Sequence, residues 1–151
     1  MNKGITLIEL TLAMAIVVTA LAIVISASGR NNDYRSVYNA ARILQADMRY
    51  TQRRAVTEGR RFYVFFELEN NVYHIGTRAP VVYYHTKELP YGVIFSPTSF
   101  NQNGNLAGFL PRGTPSQAGT IALQKGRYRR RLTVTPAGGR VEIQPVDIIG
   151  G

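Results

Sequence analysis

The first feature along the chain is an unbroken apolar stretch. From Ile5 to Ser26 it reads ITLIELTLAMAIVVTALAIVIS, with Glu9 as its only charged residue. As a helix rising ~1.5 Å per residue this stretch is roughly 33 Å long, against a hydrocarbon core of about 30 Å. It is too long for an ordinary secretory core, and the positive region ahead of it is only Met1-Asn2-Lys3. Ser26-Ala27-Ser28 is a weak cleavage signal. On hydropathy alone the pattern predicts a signal-anchor helix spanning a membrane.

A different period follows. Val37, Ala41, Leu44, Met48, Thr51 and Ala55 are spaced by fours and threes, which places them on one stripe of a helix. Gly29-Arg30-Asn31-Asn32 is either a loosened turn or a stretch through which the helix runs on. We read one long helix from about Ile5 to about Thr57, closed by Gly59. After Gly59 the texture becomes β-branched and aromatic. Phe62–Leu68 and Val72–Ile75 flank the turn Glu69-Asn70-Asn71 as a hairpin. Val81–Tyr84, Val93–Phe95, Thr120–Leu123, Arg129–Thr135 and Arg140–Gln144 are further strands, expected to close one sheet. Residues 97–119 read as a long loop with a short strand at Leu106–Leu110. In the last hairpin the alternation predicts Val134 opposite Val141, Leu132 opposite Ile143 and Thr133 opposite Glu142. An N-terminal helix followed by antiparallel strands is an α+β arrangement.

Composition narrows the function classes. The 151 residues are 45% hydrophobic, so the chain is neither disordered nor collagen-like. The absence of Cys excludes a disulfide framework, a Cys-ligated metal and a Cys nucleophile. His74 and His85 lie on separate predicted strands without acidic partners at a telling spacing, and no Ser, His and Asp are placed together. Acidic residues after Glu88 are limited to Glu142 and Asp147, too sparse for a calcium cage. We therefore expect no enzyme activity, no metal and no cofactor. The net charge of +9 points to anionic partners.

Glu9 changes the membrane reading. A carboxylate in such a segment costs a few kcal/mol on insertion scales and calls for a partner or a task. No Lys or Arg lies inside the segment, and the nearest cation in sequence is Lys3. A free α-amino group at Ile5, in the same chain or a neighbouring one, would also serve.

Lys3-Gly4-Ile5-Thr6-Leu7-Ile8-Glu9-Leu10 resembles the N-terminal signal of type IV pilins and type II secretion pseudopilins. The resemblance implies cleavage between Gly4 and Ile5 by a prepilin peptidase, N-methylation of Ile5, and assembly through Glu9. Most members have Phe where this chain has Ile5, and the helix-kinking Pro common in the family is absent here. The segment Leu132-Thr133-Val134-Thr135-Pro136, followed by Gly139-Arg140-Val141, is similar to the C-terminal end of the GspH/FimT group of minor pseudopilins and minor pilins. The implied fold is pilin-like, a long transmembrane helix packed on an antiparallel head. The implied organisation is a leader at 1–4, an assembly helix at 5–26, its continuation at 27–58 and a β-rich head at 59–151. The implied location is the cytoplasmic (inner) membrane, single-pass with the head outside the cytoplasm, then a pilus or pseudopilus. The implied partners are the peptidase, the membrane and other pilins or pseudopilins in a fibre.

Lys125-Gly126-Arg127-Tyr128-Arg129-Arg130-Arg131 is the densest basic run. As a strand it would put Arg127, Arg129 and Arg131 on one face, with Tyr128 and Arg130 on the other. Such a run can neutralise phosphates while Tyr128 stacks on a base. In FimT-like minor pilins, which are DNA receptors, a Gly-Arg-any-Arg motif near the C terminus is associated with that role. Gly126-Arg127-Tyr128-Arg129 fits the pattern but precedes the last strand, whereas Gly139-Arg140-Val141-Glu142 is better placed but ends in Glu. The alternative reading is thus a DNA-binding minor pilin of natural transformation, using Lys125, Arg127, Tyr128, Arg129, Arg131 and Arg140. A second basic set, Arg30, Arg35, Arg42, Arg49, Arg53 and Arg54, lies on the helix, as a solvated face or as contacts with lipid headgroups or fibre neighbours.

Overall fold

The computed structural model describes residues 7–96, 99–100, 104–136 and 139–149, with backbone only for 23–31. Gly4 and Ile5 therefore lie outside the described residues. Helix α1 runs Leu7–Thr57. The chain forms two compact units, one ending at Asp33 and one beginning at Tyr34.

In the first unit the described side chains of 7–22 are all exposed, and the large apolar ones, such as Leu7, Leu12 and Val18, point to every side of the helix. The two threonines here satisfy their hydroxyls within the helix: Thr11 Oγ1 donates to the Ile8 carbonyl and Thr19 Oγ1 to that of Ala15, each at 2.9 Å. Among the described residues no helix is long and apolar enough to cross a membrane. The apolar stretch of the sequence, 5–26, extends past both ends of the side chains described in it.

In the second unit the later turns of α1 bury the stripe read from the sequence. Val37, Ala41, Leu44, Met48, Thr51 and Ala55 have no exposed surface, and Ala40 joins them. The one polar member, Thr51, returns its hydroxyl to the Asp47 carbonyl at 2.8 Å, so its burial leaves no orphaned donor. The helix stops where expected. Glu58 N–H donates to the Arg54 carbonyl, Gly59 N–H reaches that of Val56, and Gly59 takes the left-handed φ of 64° that a side chain resists.

Eight strands follow among the described residues: β1 (Phe62–Glu67), β2 (Val72–Arg78), β3 (Val81–Glu88), β4 (Ile94–Ser96), β5 (Leu106–Phe109), β6 (Gly119–Lys125), β7 (Tyr128–Val134) and β8 (Val141–Ile148). They do not close one sheet. They form two four-stranded antiparallel sheets, ordered β3-β2-β1-β5 and β4-β6-β7-β8. The short strand in the 97–119 region is fully buried because β5 pairs along β1, with Tyr63 opposite Gly108 and Val64 opposite Ala107. One apolar cluster joins α1 to both sheets, through Phe62, Val64 and Ile75 of the first and Ile121, Leu123 and Leu132 of the second.

The last hairpin has the expected register: Leu132 opposite Ile143, Thr133 opposite Glu142, Val134 opposite Val141. It departs at a bulge between Arg130 and Leu132, which leaves Arg131 out of the β8 ladder.

The stripe makes a direct prediction. Leu44→Ala should lower stability by about 3 kcal/mol, because a fully buried leucine leaves a cavity, while Leu44→Met should cost less than about 1.5 kcal/mol. Urea unfolding of the full chain in non-ionic detergent measures both.

Candidate functional site

Strand alternation splits the basic run between two uses. Tyr128 and Arg130 turn toward α1. Tyr128 meets Tyr34 edge-on with centroids 5.8 Å apart. The Arg130 guanidinium lies over the Tyr38 ring at 4.6 Å, with Arg42 on the same ring at 5.8 Å. Arg130 Nε also donates to the Gln144 carbonyl at 3.0 Å. Tyr128, read from the sequence as a stacking platform for a base, is here engaged with the helix.

The other residues of the run differ among themselves. Lys125 Nζ donates to the Tyr91 carbonyl at 2.7 Å. Arg131, at the bulge, pairs with Asp147 at 2.7 Å. Arg129 is half-buried, and its Nε has no protein partner. Arg127 is exposed in the turn ahead of β7. Tyr128 is thus turned to the helix, while Arg129 stands opposite Asp147 in the ladder, the residue with which Arg131 pairs.

Arg140 belongs elsewhere. It opens onto a cleft of about 450 Å³ lined by Arg49, Gln52 and Arg53 of α1 and by Gly139, Arg140 and Val141. Arg49 and Arg53 are one helical turn apart and so share a face. Among the described residues no carboxylate pairs with Arg49, Arg53 or Arg140. Gln52 builds the wall. Its Nε2 donates to the carbonyls of Gly113 at 2.6 Å and Gly139 at 3.1 Å, while Gln45 Nε2 holds the Val141 carbonyl at 2.7 Å. Gly139 is required there: its φ is 63°, and a Cβ would lie 2.6 Å from both Gln52 Nε2 and the Gly113 carbonyl oxygen. Sequence reading missed this cleft as a unit, although Arg49, Arg53 and Arg140 were each noted.

Two other charged groupings serve the fold. Asp47 accepts from Tyr73 Oη at 2.6 Å and from Lys87 Nζ at 2.7 Å, tying α1 to β2 and β3. Burial, and then the Asp47 hydrogen bond, push the Tyr73 phenol far above the usual tyrosine range. Glu58 bonds Arg54 and Arg60, whose hydrogen bonds hold its carboxyl below the usual range, and both guanidiniums lie over Phe62 and Tyr84. His74 contacts Thr86 and Glu67, and His85 meets Tyr50 edge-on. Among the described residues no group of His, Asp and Glu could hold a metal ion. Glu9 lies exposed in the first turn of α1 as described.

In the second unit, the turns of α1 buried as the spine of two antiparallel sheets give a pilin-like α+β fold. The family described as type II transport protein GspH matches residues 40–138. The chain belongs to that family. Among solved structures, the type IV minor pilin FimU of Pseudomonas aeruginosa is similar with a TM-score of 0.61 at 18% identity, over 74% of this chain and 90% of FimU. The minor pseudopilin EpsH of the type 2 secretion system of Vibrio cholerae is similar with a TM-score of 0.59 at 12% identity, over 72% of this chain and 96% of EpsH. At these identities the likeness concerns the fold. Comparison with curated proteins gives no match.

Two predictions follow from the geometry. Tyr73→Phe should cost about 1 kcal/mol near neutral pH by removing the bond to Asp47. Because the phenol's folded-state value lies above its unfolded value of about 10, its contribution is complete below pH 10 and declines as pH rises beyond that. The wild type should therefore lose stability above pH ~10 more steeply than Tyr73→Phe, as read by urea unfolding across pH. Gly139→Ala should destabilise by about 2 kcal/mol or more, combining positive-φ strain with loss of the Gln52 contacts, and thermal melting would show it.

Proposed function

We propose that the protein is a minor pseudopilin or minor pilin, an H-like subunit of a type II secretion system or type IV pilus. It is inserted in the inner membrane by residues 5–26 with its head outside the cytoplasm. A prepilin peptidase cuts it between Gly4 and Ile5 and methylates Ile5, and it then joins a fibre through its N-terminal helix. The observation that carries this reading is the exposed, all-round apolar surface of 7–22, with Glu9 its one ionisable side chain. Such a helix is stable only against lipid or other helices. The N-terminal motif and the family membership agree with it. In the fibre Glu9 sets register by pairing with the α-amino group of a neighbouring subunit, an interaction strengthened by apolar surroundings.

The test is co-expression with a prepilin peptidase. Mass spectrometry should find the mature chain beginning at N-methylated Ile5, and an intact Met1 terminus would overturn the reading. Glu9→Leu should still be cut and remain in the membrane, but should be largely absent from the sheared fibre fraction.

A second reading, a DNA-binding minor pilin, is favoured by one observation: Arg127 and Arg129 have no carboxylate partner among the described residues. It requires binding of duplex DNA by the full chain that falls steeply with salt, with a slope reduced by about one for each arginine changed. The subunit reading expects weak binding that Arg127→Ala and Arg129→Ala leave unaltered.

A further inference from the structure

We propose that the cleft formed by Arg49, Arg53 and Arg140 receives an acidic side chain from a segment of another protein subunit. The inference rests on the reading of the chain as an assembly subunit. Three arginines line it, Arg49 and Arg53 from α1 and Arg140 from the opposite wall, and none has a carboxylate of its own among the described residues. This differs from the other arginine groupings, where Glu58 and Asp147 neutralise Arg54, Arg60 and Arg131. A planar guanidinium fork matches the two oxygens of a carboxylate or a phosphate.

Three features favour a carboxylate on a peptide over a nucleic-acid backbone. First, a volume of about 450 Å³ accommodates one or two side chains, not the length of a strand. Second, both amide hydrogens of Gln52 are spent on the Gly113 and Gly139 carbonyls, so Gln52 can offer the cleft only its Oε1, an acceptor. A peptide brings N–H donors beside its carboxylate, whereas a phosphodiester brings none. Third, Glu142 follows Arg140 by two residues and is exposed. It would repel an extended polyanion while tolerating a single compact charge. The walls are also set in advance. Gln45 and Gln52 bind the Val141 and Gly139 carbonyls on either side of Arg140, so the backbone at Arg140 itself needs little ordering on binding.

The experiment uses the full chain in non-ionic detergent. N-acetyl-Ala-Glu-Ala amide, with a single carboxylate, is titrated at low salt while the arginine Nε–H resonances are followed by NMR. N-acetyl-Ala-Gln-Ala amide serves as the neutral control and oligothymidine as the competing anion. The peptide should shift Arg49, Arg53 and Arg140 first. Arg49→Gln combined with Arg140→Gln should weaken binding about tenfold, as expected for removing two charge partners of one carboxylate. Arg127→Gln should leave it unchanged, and circular dichroism should confirm that all variants are folded. Three results would each overturn the proposal: equal shifts at Arg127 and Arg129, oligothymidine binding at the cleft more tightly than the peptide at the same salt, or no shift at the cleft arginines. None of these would affect cleavage at Gly4–Ile5 or recovery in the fibre fraction, so the subunit reading stands or falls separately.

Discussion

The head depends on the burial of one stripe of α1. Two four-stranded antiparallel sheets each carry an apolar face, and an apolar face in water needs a cover. Val37, Leu44 and Met48 supply it from the helix. They enter the same cluster as Phe62, Val64 and Ile75 of one sheet and Ile121, Leu123 and Leu132 of the other. Small side chains at Ala40, Ala41 and Ala55 are buried in the same stripe, where their size lets the backbones approach closely. The flanks of the stripe then fix position by directed bonds. Asp47 receives Tyr73 and Lys87 on one side, while Gln45 and Gln52 hold backbone carbonyls of the β8 region and its neighbouring loop on the other. Apolar burial supplies most of the stabilisation, and these bonds restrict the geometry.

The same frame determines what the positive charge can do. A net charge of +9 suggests a uniformly basic surface, but much of it is structural. Arg54 and Arg60 cover Phe62 and Tyr84, Arg42 and Arg130 both lie over the Tyr38 ring, and Arg131 is matched by Asp147. Guanidinium groups suit this work because they stack on rings and remain weakly hydrated. Arg49, Arg53 and Arg140 stand apart by sharing an open cleft without such a partner.

Local periodicity made much of this legible in the sequence. The stripe from Val37 to Ala55, the helix end at Thr57 and the register of the last hairpin all follow from spacings of three and four or of two. The pairing of distant segments was not legible. Nothing in Leu106–Phe109 says that it lies beside β1, and nothing in Ile94–Ser96 says that it lies beside β6, so the division into two sheets emerges only in three dimensions. The basic run shows both sides of this limit. Alternation correctly separated Tyr128 and Arg130 from Arg129, but only the structure reveals Tyr34 and Tyr38 waiting on the helix. Likewise Arg49 and Arg140 lie far apart in sequence, and no short motif joins them.

A subunit of this build divides affinity from choice of neighbour. In the proposed assembly, apolar contact along 7–22 would be strong and tolerant, because one leucine-rich helix face packs acceptably on many others. A carboxylate such as Glu9 within that contact makes the tolerance conditional, since placing it against the wrong group costs several kcal/mol in a low dielectric. An exposed arginine cleft works at the opposite extreme. Its pairing is screened by salt and contributes little net affinity, yet a like charge placed there is rejected. In such an assembly, shaft contacts would hold any member, whereas the proposed head cleft would distinguish among members.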